Sequence, residues 1–201
     1  MWKSFALVLL IAGCGQPAEE PSEPVSAPPP SPVSSAPAPA PAAPAISVTT
    51  NEGQRVIEVA SSGTDLTVTY DGGVLHGRHT GEKRKYESVE VKYGEAGGYK
   101  VRTLEGKLLW KVKVTPEKIK VSNNEENANP FELKIKEQKV KVYAPGERLL
   151  GEVRVRGDYI EVGDRFRADG TGLAAFYGVA LLDAVPTRER AVIFAELAAG
   201  H

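Results

Sequence analysis

Cysteine is nearly absent from this sequence. Cys14 is the only one, so no intramolecular disulfide can form and the folded part must be held by its core. Proline is scarce outside one stretch, with 11 of the 15 between Pro17 and Pro44. Neither sign of charge dominates, since 25 Lys and Arg stand against 26 Asp and Glu, interspersed along the chain. That balance argues against a nucleic-acid partner, which calls for a basic excess on one element. No apolar run is long enough to span a bilayer. There is no G-x-x-x-x-G-K-[ST] loop, no G-x-G-x-x-G after a strand and no G-x-S-x-G elbow. The expectation is therefore no cofactor, no catalytic residue and no enzyme.

What is present begins with Lys3 and the apolar run Phe5 to Cys14, FALVLLIAGC, which ends in the small residues Ala12 and Gly13 before the cysteine. A positive start, a short apolar stretch and small residues at the cut are the marks of an export signal. Leu10-Ile11-Ala12-Gly13-Cys14 resembles the lipobox of bacterial lipoprotein precursors, with Ile11 where that family most often has Leu. The resemblance implies residues 1–13 as signal peptide, cleavage between Gly13 and Cys14, and lipidation of the Cys14 sulfur. An ordinary secretory signal cut elsewhere is the alternative. Two or three acyl chains, each buried CH2 contributing about 0.8 kcal/mol, would hold such a protein firmly to a membrane. Gly15 is not the Asp that retains enteric-type lipoproteins in the inner membrane, so the resemblance implies the outer membrane, facing the periplasm. Partners are then the membrane through Cys14, and the cell wall or another envelope protein.

Residues 14–45 carry the lipidated cysteine and a tether of Pro, Ala, Ser and a few Glu. So few large apolar side chains cannot offset the entropy of ordering. An extended spacer follows, reaching at most roughly 95 Å at about 3.1 Å per residue.

From Ile46 the pattern has period two. Ile46 to Thr50, Arg55 to Ala60 and Leu66 to Tyr70 read as short strands parted by Asn51-Glu52-Gly53, Ser62-Gly63 and Asp71-Gly72-Gly73. Val74 to His79 and Lys83 to Tyr93 continue the meander. An internal repeat then links 89–121 with 131–162. Val89 to Tyr93 aligns with Phe131 to Ile135. Tyr99 to Val121 aligns with Val140 to Val162 at a constant offset of 41, so that Lys100, Leu108, Leu109, Val112 and Ile119 recur as Lys141, Leu149, Leu150, Val153 and Ile160. The copies are parted by the polar loop Ser122 to Pro130. Two equivalent meanders need a shared core, as a barrel or a sandwich.

The end of the chain changes character. Gly172 to Leu182 is almost wholly apolar and reads as a first helical segment, and Thr187 to Ala199 reads as a second helix with Thr187 as N-cap and Gly200 beyond its end. A helix apolar all round is buried all round. The fold class expected of residues 46–201 is therefore mainly β, antiparallel meanders closing as a barrel around a buried C-terminal helix. Tyr99-Lys100-Val101-Arg102, Gly106-Lys107-Leu108-Leu109, Phe176-Tyr177-Gly178-Val179 and Arg190-Ala191-Val192-Ile193-Phe194 together resemble the tubby and phospholipid-scramblase superfamily, over about Lys83 to Leu197. That resemblance implies a closed barrel around a hydrophobic helix. Acylated cysteine runs are missing, and Asp164 to Gly170 lacks the alternating oxygen ligands of a calcium loop.

Other chemistry is thin. His76 and His79 are three apart, which on a strand puts them on opposite faces, so no metal site is expected. Glu125 and Glu126 lie in a solvated loop and make a poor glycosidase pair. Lys111, Lys113, Lys118, Lys120, Lys134, Lys136, Lys139 and Lys141 alternate with apolar residues as the wet face of a sheet, which could bind the anionic cell wall or lipid headgroups. No ligand-binding residue stands out. The expected role is a non-catalytic binding or scaffolding domain in the envelope, the alternatives being a lipid carrier and an unrecognised envelope hydrolase.

Overall fold

The structure, a computed structural model, describes residues 45–94, 97–170 and 172–200. The signal, the cleavage site at Gly13, Cys14 and the tether lie outside the described residues.

Fourteen strands follow one another: β1 (Ile46–Thr50), β2 (Arg55–Ser62), β3 (Asp65–Tyr70), β4 (Gly73–Thr80), β5 (Lys83–Lys85), β6 (Val89–Tyr93), β7 (Tyr99–Thr103), β8 (Leu108–Val114), β9 (Lys118–Ser122), β10 (Phe131–Lys136), β11 (Lys139–Tyr143), β12 (Leu149–Arg156), β13 (Tyr159–Val162) and β14 (Phe166–Asp169). Each pairs antiparallel with its chain neighbours, and β1 pairs with β14 to close the barrel. Closure removes every free edge, which a sheet of this size would otherwise expose. A 3-10 helix (Ala175–Leu181) and α1 (Thr187–Ala198) complete the fold.

The alternation sorts the side chains. Val48, Ile57, Val68, Val91, Val101, Leu133, Val140, Val153 and Ile160 are wholly buried, and α1 adds Ala191 to Phe194 to the same core. The interior is thus filled by the helix. The outward positions carry Lys, Arg, Glu and Thr, the reverse of the apolar outer band of a barrel that crosses a membrane. Among the described residues, all strand pairing and the core cluster fall within residues 46–198.

The two repeat segments form matching four-strand meanders, β6–β9 and β10–β13. Their agreement extends to irregularities. A register shift falls between Val101 and Arg102 in the first and between Val142 and Tyr143 in the second, 41 residues on. The turn bond from Thr103 N–H to Lys107 O, 2.9 Å, recurs from Ala144 N–H to Arg148 O, 2.8 Å. Within those turns Gly106 and Glu147 occupy the same place, both with positive φ, +90° and +61°. The paired leucines that mark the repeat sit at strand starts outside the buried core, with Leu149 exposed.

Three local expectations need correction. Lys83 to Tyr93 is two strands, because the chain turns at Tyr86 to Ser88, where Tyr86 N–H bonds Val89 O at 2.9 Å and the Tyr86 ring enters the core. Gly172 to Leu182 shrinks to the 3-10 helix at Ala175–Leu181. A Cβ on its Gly178 would lie 2.7 Å from Val142 Cγ2, so this segment is pressed against the wall. The N-cap of α1 is Pro186, with no side-chain cap bond, because Pro186 O accepts the first intrahelical bond from Arg190 N–H, 2.9 Å, and Thr187 is already helical.

Candidate anion-binding surface

Two charged regions stand out, one dry and one wet. Inside, Glu196 of α1 is wholly buried. Its Oε2 accepts from Arg84 Nη1 at 2.8 Å and from the Tyr93 hydroxyl at 2.7 Å, and its Oε1 accepts from the Tyr86 hydroxyl at 2.6 Å. Arg84 Nη2 also donates to Thr64 O, 2.9 Å. Burial, reinforced by the Glu196 charge, pushes Tyr86 and Tyr93 far above the ordinary phenol value, so both remain protonated donors. Burial opposes the Arg84 charge, but Glu196 outweighs it and holds the guanidinium more firmly protonated. Tyr99, fully buried, donates to Ile193 O at 2.9 Å, and Trp110 Nε1 donates to Glu189. The Glu196 carboxylate has no solvent-exposed surface. The cluster fixes the depth and rotation of α1.

At the barrel mouth beside the end of α1 lies a cavity of about 420 Å³, lined by Ile46, Val59, Leu66, His79, Arg84 and Ala198 among others. Arg84 Nε has no hydrogen-bond partner among the described residues.

Outside, the barrel register sets lysine opposite lysine. Lys83, Lys92, Lys100 and Lys111 form one row across β5–β8. Lys113 faces Lys120, Lys134 faces both Lys118 and Lys141, and Lys139 faces Lys136 and Arg154. Like charges directly opposite destabilise a sheet unless carboxylates bridge them. Carboxylates neutralise part of them. Glu125 reaches Lys100 at 2.7 Å and Arg102 at 2.8 Å, and hydrogen bonding by Lys100 holds its carboxyl below the usual range. Glu132 meets Lys120 at 3.0 Å and Lys134 at 3.3 Å. Burial would raise its carboxyl, but those two ammonium groups prevail and lower it. Glu152 joins Lys139 at 3.2 Å and also Arg154, which lowers it. Lys92, Lys113, Lys118 and Lys136 have no carboxylate at ion-pair distance among the described residues.

Two grooves open on this face. One, of about 850 Å³, is walled by Lys83, Lys92, Lys100, Lys111, Lys113 and Arg102, with Glu90 its one acid among the described residues. The other, of about 930 Å³, is walled by Lys136, Lys139, Arg154 and Arg156, with Glu137 its one acid.

The eight lysines singled out in the sequence all lie on outward positions of β8–β11. His76 bonds outward, its Nδ1 3.4 Å from Thr67 Oγ1, whereas His79 lines the mouth cavity. Glu125 is engaged by cations and Glu126 is exposed. Sequence reasoning missed Glu196, Arg84, Tyr86 and Tyr93. The available signal was one carboxylate inside an otherwise apolar helix, which can be buried only against a partner.

No protein-family model matches the chain, and no curated protein or solved structure shows significant similarity to it.

Proposed function

We propose that this chain is a lipid-anchored envelope protein whose barrel is a non-catalytic binding module for an anionic polymer of the cell wall. The observation that carries the reading is the outward lysine row Lys83, Lys92, Lys100 and Lys111, like charges placed opposite one another under a groove, which Glu90 and Glu125 neutralise only in part. A surface that accepts this self-repulsion gains when an anion settles on it. Glu125 already illustrates the chemistry, one carboxylate shared by Lys100 and Arg102. The filled interior favours this over a carrier that would hold a lipid inside the barrel. Kinship with the tubby and scramblase superfamily, resting on the sequence resemblance, is offered as part of the same proposal. Lipidation at Cys14 and placement in the outer membrane belong to it as well.

Residues 45–201 should co-sediment with isolated cell-wall sacculi at low salt and be released near 1 M salt, where screening reaches about 3 Å. Retention on vesicles of anionic lipid but not on sacculi would replace the polymer with a membrane. No retention on either would end the reading. For the anchor, Cys14→Ser in the full chain should shift the protein from the membrane fraction to the soluble periplasmic fraction.

A further inference from the structure

The two grooves occupy equivalent places in the two repeat copies. Residues 113–115 line the first, and their counterparts 41 positions on, 154–156, line the second. Gly98 and Lys139 correspond at the same offset and line the two grooves likewise. Each groove therefore lies beside the hairpin that joins the first two strands of its meander and over the end of the third, β8 in one copy and β12 in the other. Because the backbone of the copies agrees down to the register shift and the turn, the two grooves sit at the same place on the repeat, each with its own cations: Lys113 and Arg154 correspond, whereas Lys139 and Arg156 stand where the first copy has Gly98 and Thr115.

We infer that the barrel is bivalent, with one anion-binding groove at the same place in each repeat copy, the two holding one anionic polymer chain at two points. This rests on the anion-binding reading above and adds to it the number of sites and a length requirement on the partner. Counterpart positions are four strands apart, and neighbouring strands are about 4.8 Å apart, so the grooves are separated by roughly 19 Å along the wall. A polymer shorter than that fills one groove at a time. A longer one binds the second groove intramolecularly, at a high effective concentration, and gains affinity without any new kind of contact.

The test uses residues 45–201 and two probes, tri-glutamate and dodeca-glutamate, followed by calorimetric titration at low salt. Extended, these reach at most roughly 10 Å and 40 Å. Tri-glutamate should bind weakly with two equivalents per barrel. Dodeca-glutamate should bind with one equivalent, at least tenfold more tightly. Two surface variants separate the grooves: Lys92→Gln with Lys113→Gln in the first, and Lys136→Gln with Arg154→Gln in the second. Either variant should remove one tri-glutamate equivalent and bring dodeca-glutamate down to about the tri-glutamate affinity. A single tri-glutamate equivalent in the unaltered protein, no gain with length, or one silent variant would overturn bivalency while leaving an anion-binding face. Absence of binding by both probes would overturn the anion-binding reading itself.

Discussion

The two meanders share a backbone but differ on the inside, and the differences coincide with what each copy must touch. In β6–β9 the inward positions Tyr93, Tyr99 and Trp110 each donate a hydrogen bond to α1, at Glu196, Ile193 O and Glu189. In β10–β13 the counterparts are Ile135, Val140 and Gly151, which have no side-chain donor. That copy packs against the 3-10 helix instead, and a Cβ on Gly151 would lie 3.0 Å from Leu181 Cδ1. One wall unit used twice has to enclose a plug that is not itself repeated. Its inner face has therefore specialised, by hydrogen bonds on one side and by close contact on the other. On the outer face Lys92, Lys100 and Lys113 keep a cation in the second copy, as Lys134, Lys141 and Arg154, whereas Lys111, Lys118 and Lys120 are replaced by Glu152, Tyr159 and Glu161.

The sharpest way to break the first copy's grip is Glu196→Ala, which leaves Arg84 buried without its counter-ion. The expected loss is about 3–5 kcal/mol, read as a lowered midpoint in denaturant unfolding. Replacing both partners, Arg84→Met with Glu196→Leu, should recover most of it, because two apolar groups do not pay for stranded charge. In the second copy, Gly151→Val forces a side chain against Leu181 and should cost about 1–3 kcal/mol. The same change at a lysine of the outer face would do far less.

Alkali distinguishes the copies too. Tyr86, Tyr93 and Tyr99 hold their protons more tightly in the folded state than in the unfolded chain, where phenols titrate near 10. Their contribution is complete below pH 10 and is lost as pH rises beyond it. Their tyrosinate absorbance should therefore appear together with loss of the β-sheet circular dichroism signal, not ahead of it. Appearance of their tyrosinate absorbance in a still-folded barrel would contradict the buried donor network. The smallest stability effect belongs to the outer row. Lys92→Gln or Lys113→Gln should leave the melting temperature within the change expected for about 0.5 kcal/mol, or raise it as repulsion is relieved.

Much of this was legible in the chain. Period-two alternation with glycine turns marks the strands, and the apolar end marks the helix that fills them. The lysines could be assigned outward because Val140 and Val142 on either side of Lys141 had to face in. What was not legible depends on parity and closure. Arg84 lies in Lys83-Arg84-Lys85, a charged tripeptide that looks solvated until the turn at Tyr86–Ser88 separates β5 from β6 and its pairing with Val91 shows it facing inward. Glu196 was hidden among Ala195 and Leu197, since periodicity reads a helix face and not the partner waiting across a barrel. The grooves required the register of the closed sheet, which no single strand contains.

The most direct test of one wall built twice is an NMR titration of residues 45–201 with dodeca-glutamate, following every backbone amide. The account predicts shifts on outward positions of β6–β8 and of β10–β12, in matched pairs 41 or 42 residues apart, with α1 unmoved. Shifts confined to one meander, or spread over β2–β4 and α1, would contradict it.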